Sequence, residues 1–150
     1  MTTDLKAQSI LTLADIRVPD ILFPEQLAGF CSAVLLEISV DKRIPIQLRA
    51  PARLVGKYIK DTSKIIPSKS LKYRAMIDDS FTLAITNSWN APVAAAFQVL
   101  LLICASHNNP TKSTKDLAMD GNWFGKFVFR AEAAGIDLEV IKAYATIYLT

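Results

Sequence analysis

Ten of the chain's seventeen Lys and Arg residues lie between Lys42 and Arg74, and Asp61 is the one acid among them. Within that stretch Arg49, Arg53, Lys57, Lys60 and Lys64 follow one another at four, four, three and four residues. On a helix this spacing brings the side chains to one face. Like charges one turn apart repel by a few tenths of a kcal/mol per pair, and a face that only had to stay wet would mix signs. Cations about 6 Å apart along a helix can instead neutralise a run of phosphates, each contact releasing a condensed counterion. Lys42 and Arg43 precede the row, and Lys69, Lys72 and Arg74 follow it. Tyr58 and Tyr73 lie in the same stretch and could stack on bases if their rings face solvent, with core packing as the alternative. Zinc-finger spacing, RNP aromatics and a GXXG loop are absent, so the expected mode is backbone recognition without base reading.

Other chemistry is sparse. His107 is the only histidine, at the end of an apolar run and beside two asparagines. Ser106 and Cys104 are its sequence neighbours, but adjacent positions on a helix do not aim a nucleophile at a base. A histidine near a helix C-terminus, favoured by the dipole, is the simpler reading. One His and two distant Cys are not a metal cluster. Asp78 and Asp79 point to different faces of a helix, and capping, solvation or pairing with Arg74 suits them better than acid–base work. Neither phosphate-binding glycine motif occurs, and the chain holds only five glycines. The expectation is a protein without catalytic residues, metal or cofactor.

The elements that must position the cations follow from composition and spacing. A length of 150 residues is one domain by the length prior, 1–150, able to bury roughly 70% of its unfolded surface. Hydrophobic residues make up 51% and charged residues 21%, which excludes a disordered chain. The net charge of +3 conceals an asymmetry: outside 42–74 the chain carries seven bases and thirteen acids. An acidic body with one basic third points to a polyanionic partner. Cys31 and Cys104 lack CxxC spacing and read as buried thiols, and no secretory signal opens the chain. The uncharged run Ala91 to Ala105 is shorter than the ~20 residues of a spanning helix. A cytoplasmic, reducing compartment and no membrane are expected.

Apolar spacing predicts an all-α fold, a single compact bundle of six or seven helices. The first is expected over Asp4 to Ala14, the second from Pro24 to about Ser39. A third is expected from near Pro51 to Thr62, with Leu54, Val55, Tyr58 and Ile59 anchoring it, after a linker in which Arg43 to Leu48 could be extended. A fourth is capped by Ser68 or Ser70 and runs to about Trp89, and the fifth is the buried run up to His107. Thr111, Ser113 or Thr114 caps a sixth, weakened by Gly121 and Gly125 and broken or kinked near Asp120. Gly135 closes it and Asp137 opens the last helix, through Tyr148. Trp123, Phe127 and Ala131 or Arg130 read as a core stripe, with a stacking platform of Trp123, Phe124, Phe127 and Phe129 beside Lys126 and Arg130 as the alternative, and Phe127 to Phe129 is also β-prone.

A short, helical, non-catalytic chain with one cationic ridge resembles the small subunit of CRISPR Cascade-type effector complexes. It is most similar to the version that corresponds to the C-terminal part of a large subunit. The resemblance covers the 150-residue length and the ridge Arg49, Arg53, Lys57, Lys60, Lys64 with Lys69, Lys72 and Arg74. It implies helical bundles packed head to tail, basic side chains on the guide–target duplex and displaced strand, and no catalytic residues. The implied partners are nucleic acid (crRNA and target DNA), other subunits of the complex and further copies of the chain. A viral or phage nucleoprotein or coat protein, and a helical protein–protein adaptor, are the alternatives.

Overall fold

The computed structural model describes residues 18, 21–22, 24–60, 67–84, 92–97 and 119–150. In chain order these form β1 (Ile21–Leu22), α1 (Pro24–Val40), α2 (Ile46–Lys60), α3 (Pro67–Ala84), β2 (Met119–Asp120), α4 (Gly121–Ala133) and α5 (Leu138–Tyr148). Residues 92–97 are also helical. The fold is an all-α bundle, with the two dipeptide strands as its only sheet among the described residues. They pair antiparallel, Ile21 opposite Asp120 and Leu22 opposite Met119. β2 leads directly into α4 and one residue separates β1 from α1, so the pairing brings the starts of the two helices near one another.

The core is built on α1. Leu27, Phe30, Cys31, Val34, Leu35 and Ile38 recur at three- and four-residue steps and are all buried, as an amphipathic helix requires. Phe30 meets three rings of α4 edge to face: Trp123 at 6.3 Å, Phe124 at 5.8 Å and Phe127 at 5.3 Å between centroids. Such pairs add roughly 0.5–1.5 kcal/mol each beyond the area they bury. The stripe Trp123, Phe127 and Ala131 is buried, and Phe127 to Phe129 is helical. Burial also pushes the Cys31 thiol above its usual range, because a thiolate there would lose its hydration.

Among the described elements, α1 and α2 make the most extensive contact. Leu48, Ala52, Val55 and Ile59, at four, three and four residues, form its buried stripe. Gly56 lets the helices approach, since a Cβ there would stand 3.1 Å from the Leu35 Cβ. Ser32 Oγ donates to the Gly56 carbonyl at 3.0 Å across the same crossing, so its buried hydroxyl is satisfied.

Several boundaries differ from the sequence reading. The segment Arg43 to Leu48 is not extended. The amides of Leu48 and Arg49 donate to the Pro45 carbonyl at 3.0 and 3.1 Å, and α2 starts at Ile46. Pro51 therefore lies inside the helix, buried, where its ring packs and the one donor it lacks falls near the N-terminal end. Leu54 does not anchor α2: it is 46% exposed, while the buried stripe lies a quarter turn or more away. α3 begins at Pro67, ahead of the expected Ser68 or Ser70 cap, whereas α4 begins at Gly121 directly after β2, at the break expected near Asp120. Two other signals read as expected. Gly135 adopts φ +86°, with its amide donating to Glu132 O and the Ile136 amide to Ala131 O, both at 3.0 Å, which closes α4 in a Schellman turn. Asp137 caps α5 by accepting from the Glu139 amide at 3.0 Å. The expected helix over Asp4 to Ala14 lies outside the described residues, as do Lys64, Cys104, His107, the caps Thr111, Ser113 and Thr114, and most of the run Ala91 to Ala105.

Candidate nucleic-acid interface

Because α2 buries its stripe against α1, its opposite side must face solvent. Arg53, Lys57 and Lys60 occupy that side and are exposed. Among the described residues none of the three forms an ion pair or hydrogen bond with an acid, so their charges are not neutralised within the fold. In α3, Lys69, Lys72 and Arg74 are also exposed and likewise unpaired among the described residues. Asp78 and Asp79 lie on later turns of α3 and are exposed, so the basic character of that helix is confined to its first half.

The two helices are joined by aromatic contact. The Tyr58 and Tyr73 rings lie 4.5 Å apart between centroids, tilted by 44°. Burial, and then the neighbouring Tyr58, raises the Tyr73 phenol above its usual pKa. Both rings are half-buried against the core. The tyrosines thus stack on each other and fasten α3 to α2.

The N-terminal end of the row behaves differently. Arg43 Nη2 lies 2.9 Å from Asp41 Oδ2 and its Nε donates to Oδ1 at 3.1 Å, a bidentate pair within the turn. The hydrogen bonds from Arg43 hold the Asp41 carboxyl below the usual carboxylate range, and Asp41 raises Arg43 in return. The charge of Arg49 lowers Asp41 further. Arg49 is half-buried, with its Nε enclosed and unbonded among the described residues. Lys42 is exposed. Of the ten cations singled out in the sequence, Arg43 is engaged at home, Arg49 is turned partly inward, and Lys64 lies outside the described residues. The outward set is Lys42, Arg53, Lys57, Lys60, Lys69, Lys72 and Arg74.

Two exposed leucines escaped the sequence reading. Leu54 follows Arg53, and Leu71, 67% exposed, precedes Lys72. The helical wheel of α2 would have placed Leu54 off the buried stripe had the helix been started at Ile46. Among the described residues no group of three or more His, Cys, Asp or Glu stands close enough to hold a metal ion. No helix among them is long and apolar enough to cross a membrane.

Comparison with protein-family models, curated protein sequences and solved structures finds no match to this chain.

Proposed function

We propose that the protein is a non-catalytic nucleic-acid-binding subunit that holds a sugar–phosphate backbone against the basic face of α2 and the first half of α3. Its place is as a small subunit of a CRISPR RNA-guided DNA interference complex, where it contacts the guide–target duplex or the displaced strand. The observation that carries the reading is the row Arg53, Lys57, Lys60, exposed on one helix with no acid of the described fold paired to it. Concentrating like charge costs repulsion, and a polyanion offsets that cost by exchanging condensed counterions for the protein's own cations. The fold supplies a rigid mount, since the tyrosine pair and the α1–α2 crossing hold the row in place.

The test is the triple variant Arg53→Glu, Lys57→Glu, Lys60→Glu, titrated against single- and double-stranded DNA and RNA. Weakening for all sequences alike supports the reading, and retained affinity overturns it. A protein–protein adaptor is the second reading, favoured by Leu54 and Leu71 standing exposed beside the cations. An adaptor facing an acidic, apolar partner would show no nucleic-acid binding at ~50 mM salt, where phosphate contacts are strongest.

A further inference from the structure

On the side of α1 away from the Phe30 cluster, a trough of about 590 Å³ runs along the helix, open to solvent. Ala28, Gly29, Ser32, Ala33 and Leu36 form its floor, and Val40 its far lip. These positions recur at three- and four-residue steps, so α1 carries a second seam besides the one buried in the core. From Glu25 to Val40 the seam extends about 22 Å, some four helical turns. Tyr144 and Tyr148 of α5 wall one side. Tyr148 lies directly on the backbone of Gly29, where a Cβ would come within 2.5 Å of its ring.

Charge is placed at the two ends. Glu25 stands near the start of the trough and Glu37 near its finish, about 18 Å apart along the axis. The Tyr144 hydroxyl donates to Glu37 Oε1 at 2.9 Å and fixes that carboxylate. This bond raises the tyrosine above its usual pKa, so the hydroxyl remains a donor. Lys60, the last residue of α2, is the one cation lining the trough among the described residues.

We infer that this trough docks an amphipathic helix of a partner protein, about four turns long, with an apolar stripe and one Lys or Arg near each end. Ala33 and Leu36, partly exposed on the floor, offer an apolar seat for the stripe of such a helix, as in other helix-in-groove complexes. Residues eleven apart share a helical face and span about 16.5 Å, which matches the two carboxylates. Lys60 disfavours a uniformly basic helix. The α2 helix of a second copy fits poorly, because it presents cations on a face whose apolar stripe is already buried against α1. The trough meets the basic face only at Lys60, the residue the two share, and its other lining residues lie outside that face.

The test uses the full 150-residue chain and fluorescein-labelled peptides about sixteen residues long, built of Leu and Ala with two lysines eleven residues apart. Controls carry Glu at the same two positions, or keep the two lysines and replace the alanines of the solvent-facing side with Lys. Fluorescence anisotropy should show the two-lysine peptide binding roughly ten-fold or more tighter than either control. Ala33→Trp, which fills the floor, should abolish binding. The variant Glu25→Lys with Glu37→Lys changes only exposed side chains and should reverse the preference, with circular dichroism confirming that each variant is folded. Equal affinity for the lysine and glutamate peptides, or affinity that survives both variants, overturns the inference. So does sedimentation showing a wild-type dimer that Ala33→Trp dissociates, because the occupant would then be a second copy.

Discussion

Neutralising the three outward cations of α2 gives a quantitative test of the phosphate track. Arg53 to Lys60 spans seven residues, about 10 Å along the axis. Over that distance duplex DNA carries about six phosphate charges, one per ~1.7 Å, so all three cations can reach a phosphate at once. Each contact contributes a salt slope of about −0.9 on a duplex and about −0.7 on a single strand. The variant Arg53→Gln, Lys57→Gln, Lys60→Gln should therefore flatten log K against log salt by about 2.7 units on duplex and 2.1 on single strands. At ~0.1 M salt the affinity should fall by roughly 10²–10³-fold. Stability should change by less than about 0.5 kcal/mol, because the side chains are exposed, have no acid partner, and repel one another. The assay is fluorescence anisotropy from about 50 to 200 mM salt, with Lys126→Gln on α4 as an exposed control outside the row. An unchanged slope in the triple variant would refute the reasoning, as would an equal loss from Lys126→Gln.

Three further outcomes test the fold that mounts the track. Phe127→Ala removes a fully buried ring in contact with Phe30 and Trp123, and should cost about 3–5 kcal/mol in urea unfolding; a loss under about 1 kcal/mol would contradict the aromatic core. At Gly135 an added Cβ meets nothing within 4 Å, so Gly135→Ala should cost only the left-handed backbone strain, about 1–2 kcal/mol, read as a lowered Tm. Asp41 titrates below its unfolded value, so its stabilising contribution is present above about pH 3.9 and is lost as pH falls through the lowered folded pKa. The stability gap between wild type and Asp41→Asn should accordingly narrow as pH falls below about 3.9, and a gap independent of pH would show that the Arg43 pair contributes nothing.

Local signals decided much of the architecture. Pro24 at the head of α1, the left-handed Gly135, the Asp137 cap and the Trp123–Phe127–Ala131 stripe each act within a few residues of themselves. Their physics therefore survives without a partner element. The four-four-three-four spacing of the cations is of the same kind, since helical periodicity alone gathers them onto one face. The start of α2 was not legible in this way. Pro51 reads locally as a beginning, whereas Pro45 accepts the first hydrogen bonds and the Leu48–Ala52–Val55–Ile59 stripe keeps the helix running through Pro51. What stabilises that stripe is α1, which stands elsewhere in the chain.

Only the tertiary structure sorted the charges and the exposed surfaces. Arg43 and Arg49 share the composition of Arg53, yet a turn brings Asp41 against the first and packing half-buries the second. Tyr58 and Tyr73 are fifteen residues apart, and nothing short of the α2–α3 packing sets one ring 4.5 Å from the other. Glu25, Glu37, Tyr144 and Tyr148 gave no motif, because the trough they line exists only where α1, α2 and α5 come together. Periodicity fixes which side chains share a face of a helix. Which face meets water, a carboxylate or a neighbouring helix depends on contacts between distant segments, and those arise only once the chain has folded.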